Sequence, residues 1–293
     1  MKLFTSMIVQ IYTTSQILLK YYLKRPQINV LVIWFGILGL SAVANVFQFP
    51  STFFSNKHNF LNQYFVKVSW GWTLITLGPY MLTTAFVYGC HQWKKACAKA
   101  VFRLVIATCI WYFFTNIVFH YIYDITGVCI SKTNVPNFNI STMADCKQLK
   151  PRHYWDGFDI SGHCFLLSLI ILVQASELQL QKHWDQIPSA SNNLLTVGTK
   201  SISSVKSKFA ITRLLVDILF VINCCLGILW HIMLIVTCIY FHTFLSKALG
   251  ASAAILSWML TYNNSWYSSI NCFPGAGTFS VLWRSTIHKQ HGA

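Results

Sequence analysis

An all-α integral membrane protein is the fold class this sequence predicts: a bundle of six transmembrane helices preceded by an N-terminal amphipathic helix. Three observations carry that expectation. Of 293 residues, 55% are hydrophobic and 10% charged, with a mean hydropathy of +0.50, whereas about a quarter of the residues in a soluble domain are charged. Six apolar runs each approach the ~20 residues that cross a hydrocarbon core. Lysines and arginines flank those runs and do not gather on one polar face. The same composition excludes a disordered chain, which would be poor in apolar and aromatic residues. The 14 glycines and seven prolines follow no period, which excludes a collagen-like polymer. A net charge of +15 is the one feature that nucleic-acid binding would share. The juxtamembrane placement of the basic residues assigns it to the membrane surface instead, so no nucleic acid is expected as a partner.

The elements follow in order. Leu3, Phe4, Met7, Ile8, Ile11 and Leu18 recur at helical spacing, with Thr5, Gln10, Thr13 and Gln16 filling much of the rest. This is the pattern of a helix lying on a membrane, stopped by Pro26. A poor seventh span is the alternative, and no cleavable signal peptide is evident. The six expected spans are Asn29–Phe49, Val66–Val87, Ala100–Ile122, Ile160–Leu180, Leu214–Tyr240 and Ala248–Trp266. The fourth is the weakest by hydropathy, because it carries His163, Gln174 and Glu177. The chain thus divides into a cytosolic amphipathic segment (1–28), a six-span domain (29–266) and a cytosolic tail (267–293). Within the domain lie a luminal loop at 123–159 and a Ser/Thr/Asn-rich basic loop at 181–213, which reads as a flexible connection beside anionic lipid. No internal repeat is apparent.

Sidedness comes from the basic residues. The N-terminal segment, the second and fourth loops and the tail hold fifteen of the 22 Lys and Arg; the odd loops hold seven, including Lys57, Lys67 and Lys247. Both termini are therefore expected in the cytosol. The third loop agrees. It holds the sequon Asn139-Ile140-Ser141, an acceptor only in the secretory lumen. Cys129 and Cys146 lie in the same loop, and an oxidising lumen can join them; two free thiols and an unused sequon are the alternative. The remaining cysteines read as packing residues. Asn263-Asn264-Ser265 repeats the sequon on the cytosolic side and is discounted.

Ionisable groups at membrane depth are costly, which makes each a functional candidate. His163 lies one turn into the fourth span and His242 closes the fifth, so this topology places both at the luminal face. One histidine can attack a phosphorus while a second protonates the departing oxygen. Two hydrogen-bonded structural histidines, or half a metal site, would fit the pattern as well; no HExxH, Cys/His spacing or carboxylate triad supports a metal. Asp159 precedes the fourth helix as an N-cap or as a group orienting an imidazole. Lys67 at the mouth of the second span either snorkels or binds phosphate. Ser161 and Gly162 would let an anion approach backbone at a helix start. Arg152 and His153 could add positive potential, and Asp156 starts a turn with Gly157. His231 reads as an interior hydrogen-bonded residue, Asp217 as the partner of Arg213, and Trp70, Trp72, Trp155, Tyr240 and Trp266 as interface anchors.

Three blocks then resemble the fat storage-inducing transmembrane (FIT) family of the endoplasmic reticulum. They are Ser55-Asn56-Lys57-His58-Asn59 through Lys67 and Trp70-Gly71-Trp72; Trp155-Asp156-Gly157-Phe158-Asp159-Ile160-Ser161-Gly162-His163; and Tyr240-Phe241-His242 through Lys247, Ser257-Trp258 and Thr261-Tyr262. The likeness covers about residues 50–267 and includes the luminal cysteine pair. It implies a six-span hydrolase acting on fatty acyl-CoA in the lumen. Its products would be acyl 4′-phosphopantetheine and adenosine 3′,5′-bisphosphate, and it would support lipid droplet formation. Diacylglycerol and triacylglycerol are implied as further partners, and a non-catalytic protein that partitions those lipids is the alternative function. A lipid or ion transporter finds weak support, because no matching halves with broken helices appear. The resemblance makes His163 the acid and His242 the nucleophile; Lys67, Asp159, Ser161 and Gly162 are the substrate-binding candidates that the residues themselves suggest. No metal or cofactor is required on that scheme. In the related lipid phosphatases an Asp follows the nucleophile by four residues and an Arg precedes it by six; Ser246 and Val236 stand here, which leaves the orienting group and the phosphate clamp unassigned.

Overall fold

The structure, a computed structural model, describes residues 26–47, 49–89, 93–131, 140, 142–149, 151–181 and 202–263, with Ser6, Val9, Gln10, Thr13 and Ile17 besides. The amphipathic segment over 3–19 (apart from those five positions), the sequon residue Asn139, most of the 181–213 connection and the tail at 267–293 lie outside the described residues.

Six long helices stand where the apolar runs place them. They are α1 (Pro26–Val46), α2 (Ser69–Gly89), α3 (Trp93–Ile125), α5 (Gly162–Glu177), α6 (Ile202–Tyr240) and α7 (Phe244–Trp258). Four of the described helices are long and apolar enough to cross a membrane: α3, α5 with its continuation to Gln181, Leu214–Tyr240 of α6, and Phe244–Tyr262. A count of six spans is thus not shown among the described residues. The apolar part of α1, Val30–Val46, falls short in length, and α2 interrupts its run with Thr73, Thr76, Pro79, Thr83 and Thr84. Several limits also moved. Helix α3 starts before the expected Ala100 because Lys94, Lys95 and Lys99 are good helix formers that can carry their charge outward. Helix α7 starts at Phe244 because the Thr243 hydroxyl accepts the Ser246 N–H.

The described part of the loop at 123–159 holds regular structure, which corrects a purely helical reading. It holds β1 (Val128–Ser131) and β2 (His153–Asp156), paired antiparallel with Cys129 opposite Trp155, and the short helix α4 (Met143–Gln148). Cys129 and Cys146 are joined by a disulfide. Together with Trp155 they form a small core of their own, packed by Tyr123, Ile140 and Met143. Trp155 is therefore a buried packing residue, with its indole N–H donating to the Tyr123 carbonyl. Trp70, also expected at the interface, is buried against Trp111 and donates to Thr108.

The weakest span by hydropathy proves to be the centre of the bundle. From Cys164 to Glu177 every residue of α5 is buried, and α2, α6, α7 and α1 pack around it. A helix surrounded by protein must satisfy its polar groups within the protein, and α5 does so neighbour by neighbour. Gln174 donates to the backbone and side-chain oxygens of Asn223 on α6, and Asn223 also accepts from Thr76 of α2. Trp258 of α7 donates to Ser176. Arg103 of α3 grips Glu177 through Nε (2.7 Å) and Nη2 (3.0 Å), and the Tyr262 hydroxyl donates to the same carboxylate at 2.8 Å. Arg103, counted from sequence among the cytosolic charges, is thus an interior residue, 2% exposed. Asp217 accepts from Gln181 at 2.9 Å; the side chain of its expected partner Arg213 lies outside the described residues. Outward-facing Leu31, Phe35, Val105, Ile222 and Ile232 are exposed, which suits helices bathed in lipid.

The Arg103–Glu177 pair makes a stability prediction. Removing one partner strands a buried charge and costs about 3–5 kcal/mol, whereas replacing both with apolar side chains of similar size costs far less. Thermal unfolding of the detergent-solubilised chain should rank wild type and Arg103→Met/Glu177→Met well above Glu177→Ala and Arg103→Ala.

Candidate active site

The end of the bundle opposite Glu177 holds a cavity of about 890 Å³ whose wall includes both His163 and His242. Spanning 14 residues of α5, it lies roughly 21 Å from the buried ion pair at 1.5 Å rise per residue. His163 is the second residue of α5, and His242 sits in the tight turn between α6 and α7. That turn has a specific geometry: among the described residues His242 is the non-glycine with positive φ, at 58°. Such backbone is uncommon outside glycine and is held only where the surroundings determine it. Here Phe241 closes the last turn of α6 through its N–H to the Thr237 carbonyl, and Thr243 immediately begins the cap of α7.

The strand of chain that delivers Asp159 and His163 is clamped to the first turns of α7. The Ser161 N–H donates to the Ser246 carbonyl at 3.2 Å, and the Ser246 hydroxyl donates to the Asp159 carbonyl. Gly250 makes this approach possible, since a Cβ there would stand 2.5 Å from the Ser161 carbonyl. Asp159 is consequently turned toward His242, its Oδ2 3.4 Å from Nδ1. The local spacing around His242 supplies no carboxylate, because Ser246 occupies that place; the carboxylate comes from the segment before α5. Asp159 is not the N-cap. Ser161 takes that role, buried with its hydroxyl accepting the Cys164 N–H, so it does not line the cavity. Gly162 does line it, and a Cβ there would meet open space.

Among the charged side chains of the wall, lysines outnumber carboxylates. Lys67 is present, held by Gln63 at 2.9 Å, and it is joined by Lys57, His58, His120 and Lys147, none of which sequence reasoning placed at the site. Asp159 is the only acidic residue among the lining residues. Two wide helical turns, closed by bonds from Lys67 N–H to Asn62 and from Phe119 N–H to Phe114, bring several of these in. Such turns re-aim side chains and recur at functional sites. The first is secured by Asn59, which accepts the Asn62 N–H at 2.7 Å. Lys247, expected in a luminal loop, is instead buried in α7 with Nζ donating to the Cys238 carbonyl. Arg152 and His153 do not reach the cavity wall. Asp156 ends β2, and Gly157 lets the cap close, because a Cβ there would collide with the Tyr123 carbonyl. His231 binds the Gly227 carbonyl inside α6. Among the described residues no cluster of three or more His, Cys, Asp or Glu could hold a metal.

Burial holds the His242 imidazole below its ordinary pKa of 6.5; Asp159 pulls it upward, and Lys57 and Lys247 push it further down. The ring is therefore kept largely neutral near pH 7. With Nδ1 facing a carboxylate, the neutral tautomer that donates from Nδ1 leaves Nε2 with a free lone pair.

These features define a class: a helical membrane protein whose cavity pairs two imidazoles beneath a disulfide-tied cap, among lysines. The chain belongs to the FIT family, since the family described as fat storage-inducing transmembrane protein matches residues 50–262. It is 32% identical over 259 residues to a Drosophila melanogaster protein named acyl-coenzyme A diphosphatase FITM2, covering 82% of this chain and 59% of that relative. Proteins of the same name in Xenopus tropicalis and Homo sapiens are 33% and 32% identical, each match covering 79% of both chains. The chain therefore spans less than two thirds of the fly relative. No solved structure matches the chain.

Two substitutions test the site's architecture. His242→Gly should unfold at a higher temperature than His242→Ala, because alanine pays roughly 1 kcal/mol for the left-handed backbone that glycine adopts freely. Gly250→Ala should lower the unfolding midpoint by the equivalent of about 1–3 kcal/mol, since the α5–α7 clamp must open to admit the methyl group.

Proposed function

We propose that the chain is an endoplasmic reticulum hydrolase that cleaves the diphosphate of fatty acyl-CoA on the luminal side, giving acyl 4′-phosphopantetheine and adenosine 3′,5′-bisphosphate, and that this supports lipid droplet formation. The observation that carries the reading is the pairing of His163 and His242 on one cation-rich cavity, with Asp159 at Nδ1 of His242. The relatives' name supplies the substrate class.

In this scheme His242 Nε2 attacks one phosphorus of the diphosphate. The bridging P–O bond breaks, its electron pair leaves with the departing phosphate, and the His163 imidazolium protonates that oxygen. Neutral His163 then takes a proton from water; the hydroxide attacks the phosphohistidine, and the N–P bond breaks to restore His242. Asp159 fixes the tautomer of His242 and stabilises the charge that develops on its ring. An anionic carboxylate would repel phosphate, so Asp159 serves as a positioning residue. Lys57 and Lys67, both exposed on the cavity wall, offset the phosphate charge. Gly162 lets the head group approach the backbone.

The sidedness of this proposal rests on charge and on the cap. Arg103 and Lys247 are interior and drop out of the count, one from each side, and the basic excess remains with the termini. Both termini are thereby cytosolic, with α1 and α2 completing six spans between the amphipathic segment 1–28 and the tail 267–293. The disulfide-bearing cap falls on the cavity side, as a luminal site requires, and in the sequence the sequon at Asn139 belongs to the same loop. A neutral glyceride offers a wall of lysines and histidines no anionic charge to pair with, so the cavity favours hydrolysis over diacylglycerol or triacylglycerol partitioning. Those lipids remain membrane-phase partners that the family resemblance suggests.

Purified chain in nanodiscs should release adenosine 3′,5′-bisphosphate from oleoyl-CoA, and His163→Ala and His242→Ala should each lower kcat by at least about a hundredfold with folding intact. Unchanged turnover in both variants would remove the reading. The acid limb of kcat/KM should fall below pH 6.5, the ordinary imidazole value, because His242 must be neutral to attack. Asp159→Asn removes the upward pull and should move that limb to lower pH, while Lys57→Ala should move it higher.

A further inference from the structure

The cavity has two distinct walls, and only one of them has been given a chemical role. The bundle side carries the two imidazoles, Asp159, Lys57 and Lys67. The cap side carries Met143 and Lys147 of α4 and Tyr154 of β2. Met143 and Lys147 are four residues apart and share one face of α4. Between them Cys146 is 1% exposed and bonded to Cys129 on β1. The Thr142 hydroxyl caps the same helix by accepting the Asp145 N–H. Lys147 is therefore presented to the cavity by a turn of chain fixed at both ends. Tyr154, 43% exposed, lies on the strand that pairs with β1.

The fold separates the lysines. Lys57 and Lys67 lie on the segment that leads into α2, whereas Lys147 lies on α4 of the cap. Lys147 thus belongs to the cap wall of the cavity. The substrate has a matching order: acyl chain, pantetheine, diphosphate, then ribose with its 3′-phosphate and the adenine. With the chain in the bilayer and the diphosphate at the imidazoles, the adenosine end must project toward the cap.

We infer that Lys147 and Tyr154 form a subsite for the adenosine 3′-phosphate of the CoA head group, Lys147 pairing with the phosphate and Tyr154 offering its ring to the adenine. This rests on the acyl-CoA reading and adds to it a discriminating element that is separate from the hydrolytic machinery. The Cys129–Cys146 disulfide becomes a positioning device for Lys147. The subsite selects acyl-CoA over otherwise similar lipid diphosphates through a charge-assisted contact that those lack.

The test compares oleoyl-CoA with its 3′-dephospho analogue on the full chain in nanodiscs. Wild type should prefer oleoyl-CoA by about tenfold or more in kcat/KM, equivalent to ~1.4 kcal/mol. Lys147→Ala should reduce the preference to about twofold, with the loss falling on KM, and Lys147→Arg should retain most of it. Cys129→Ser/Cys146→Ser should erode the preference as Lys147→Ala does. A wild-type chain that cleaves both substrates equally well, or a Lys147→Ala chain that keeps the full preference, overturns the subsite while leaving the hydrolase standing. A wild-type chain that cleaves neither overturns the acyl-CoA reading and the subsite with it.

Discussion

Helix α5 touches protein on every side, and so none of its polar groups can be left to water or lipid. That condition governs the arrangement of the helices around it. A carboxylate at position 177 of a buried helix is intolerable alone, and the bidentate contact from Arg103 together with the Tyr262 hydroxyl satisfies it. Gln174 imposes the same demand one turn earlier and is met by Asn223. Each of these contacts is directional. Together they fix the rotation of α5 about its own axis and the depth at which α3, α6 and α7 stand against it. Dispersion alone would leave such helices freer to rotate, since lipid tails are as apolar as the side chains that face them.

The setting at one end of α5 decides the chemistry at the other. Because the helix cannot turn or slide, His163 leaves its first turn in a determined direction. The clamp between Ser161, Ser246 and Asp159 then carries that positioning across to α7. The His242 turn is held from both flanks, by the end of α6 and by the cap of α7, which is what allows a bulky residue to persist at φ 58°. Asp159 and His242 meet although 83 positions separate them, because Gly250 lets α7 approach the start of α5 within backbone contact.

How much of this the sequence disclosed depends on the range of the interaction. Helix positions are written in runs of apolar residues, which are local, and they stood where expected. The two histidines were legible because depth along a span and direction of crossing can be counted from the chain. The Arg103–Glu177 contact was not, since the partners stand 74 positions apart and each alone resembles a span-weakening charge. The same polar residues that lowered the hydropathy of the fourth span mark it as the centre of the bundle, a meaning visible only once partners are known. Lys57 and His58 were missed as site residues because a short turn outside the regular helices carries them, and His120 because it follows a wide turn inside α3. The two strands of the cap, at four residues each, carry too short a pattern to read, and Trp155 looked like an interface anchor until its partner Tyr123 was in view.

On the proposed hydrolysis, the charges of the cavity answer two requirements at once. Lysines are needed to draw a polyanionic head group to the bundle end, and an imidazole that is to attack phosphorus must be unprotonated. These demands would conflict if the imidazole sat among carboxylates, which bind no phosphate and favour imidazolium. Among cations they coincide: Lys57 would attract the diphosphate of the proposed substrate and, by the same field, disfavours a proton on His242. A single carboxylate is then as much as the site can hold. Asp159 is placed where it does the least harm to anion binding, half-turned to solvent at 66% exposure and against Nδ1, the nitrogen that does not attack. More negative charge would stabilise the imidazolium and repel the substrate; without it, the ring would lose its preferred tautomer. The balance of several lysines and histidines against one aspartate is thus what a nucleophilic histidine requires when its substrate is itself an anion.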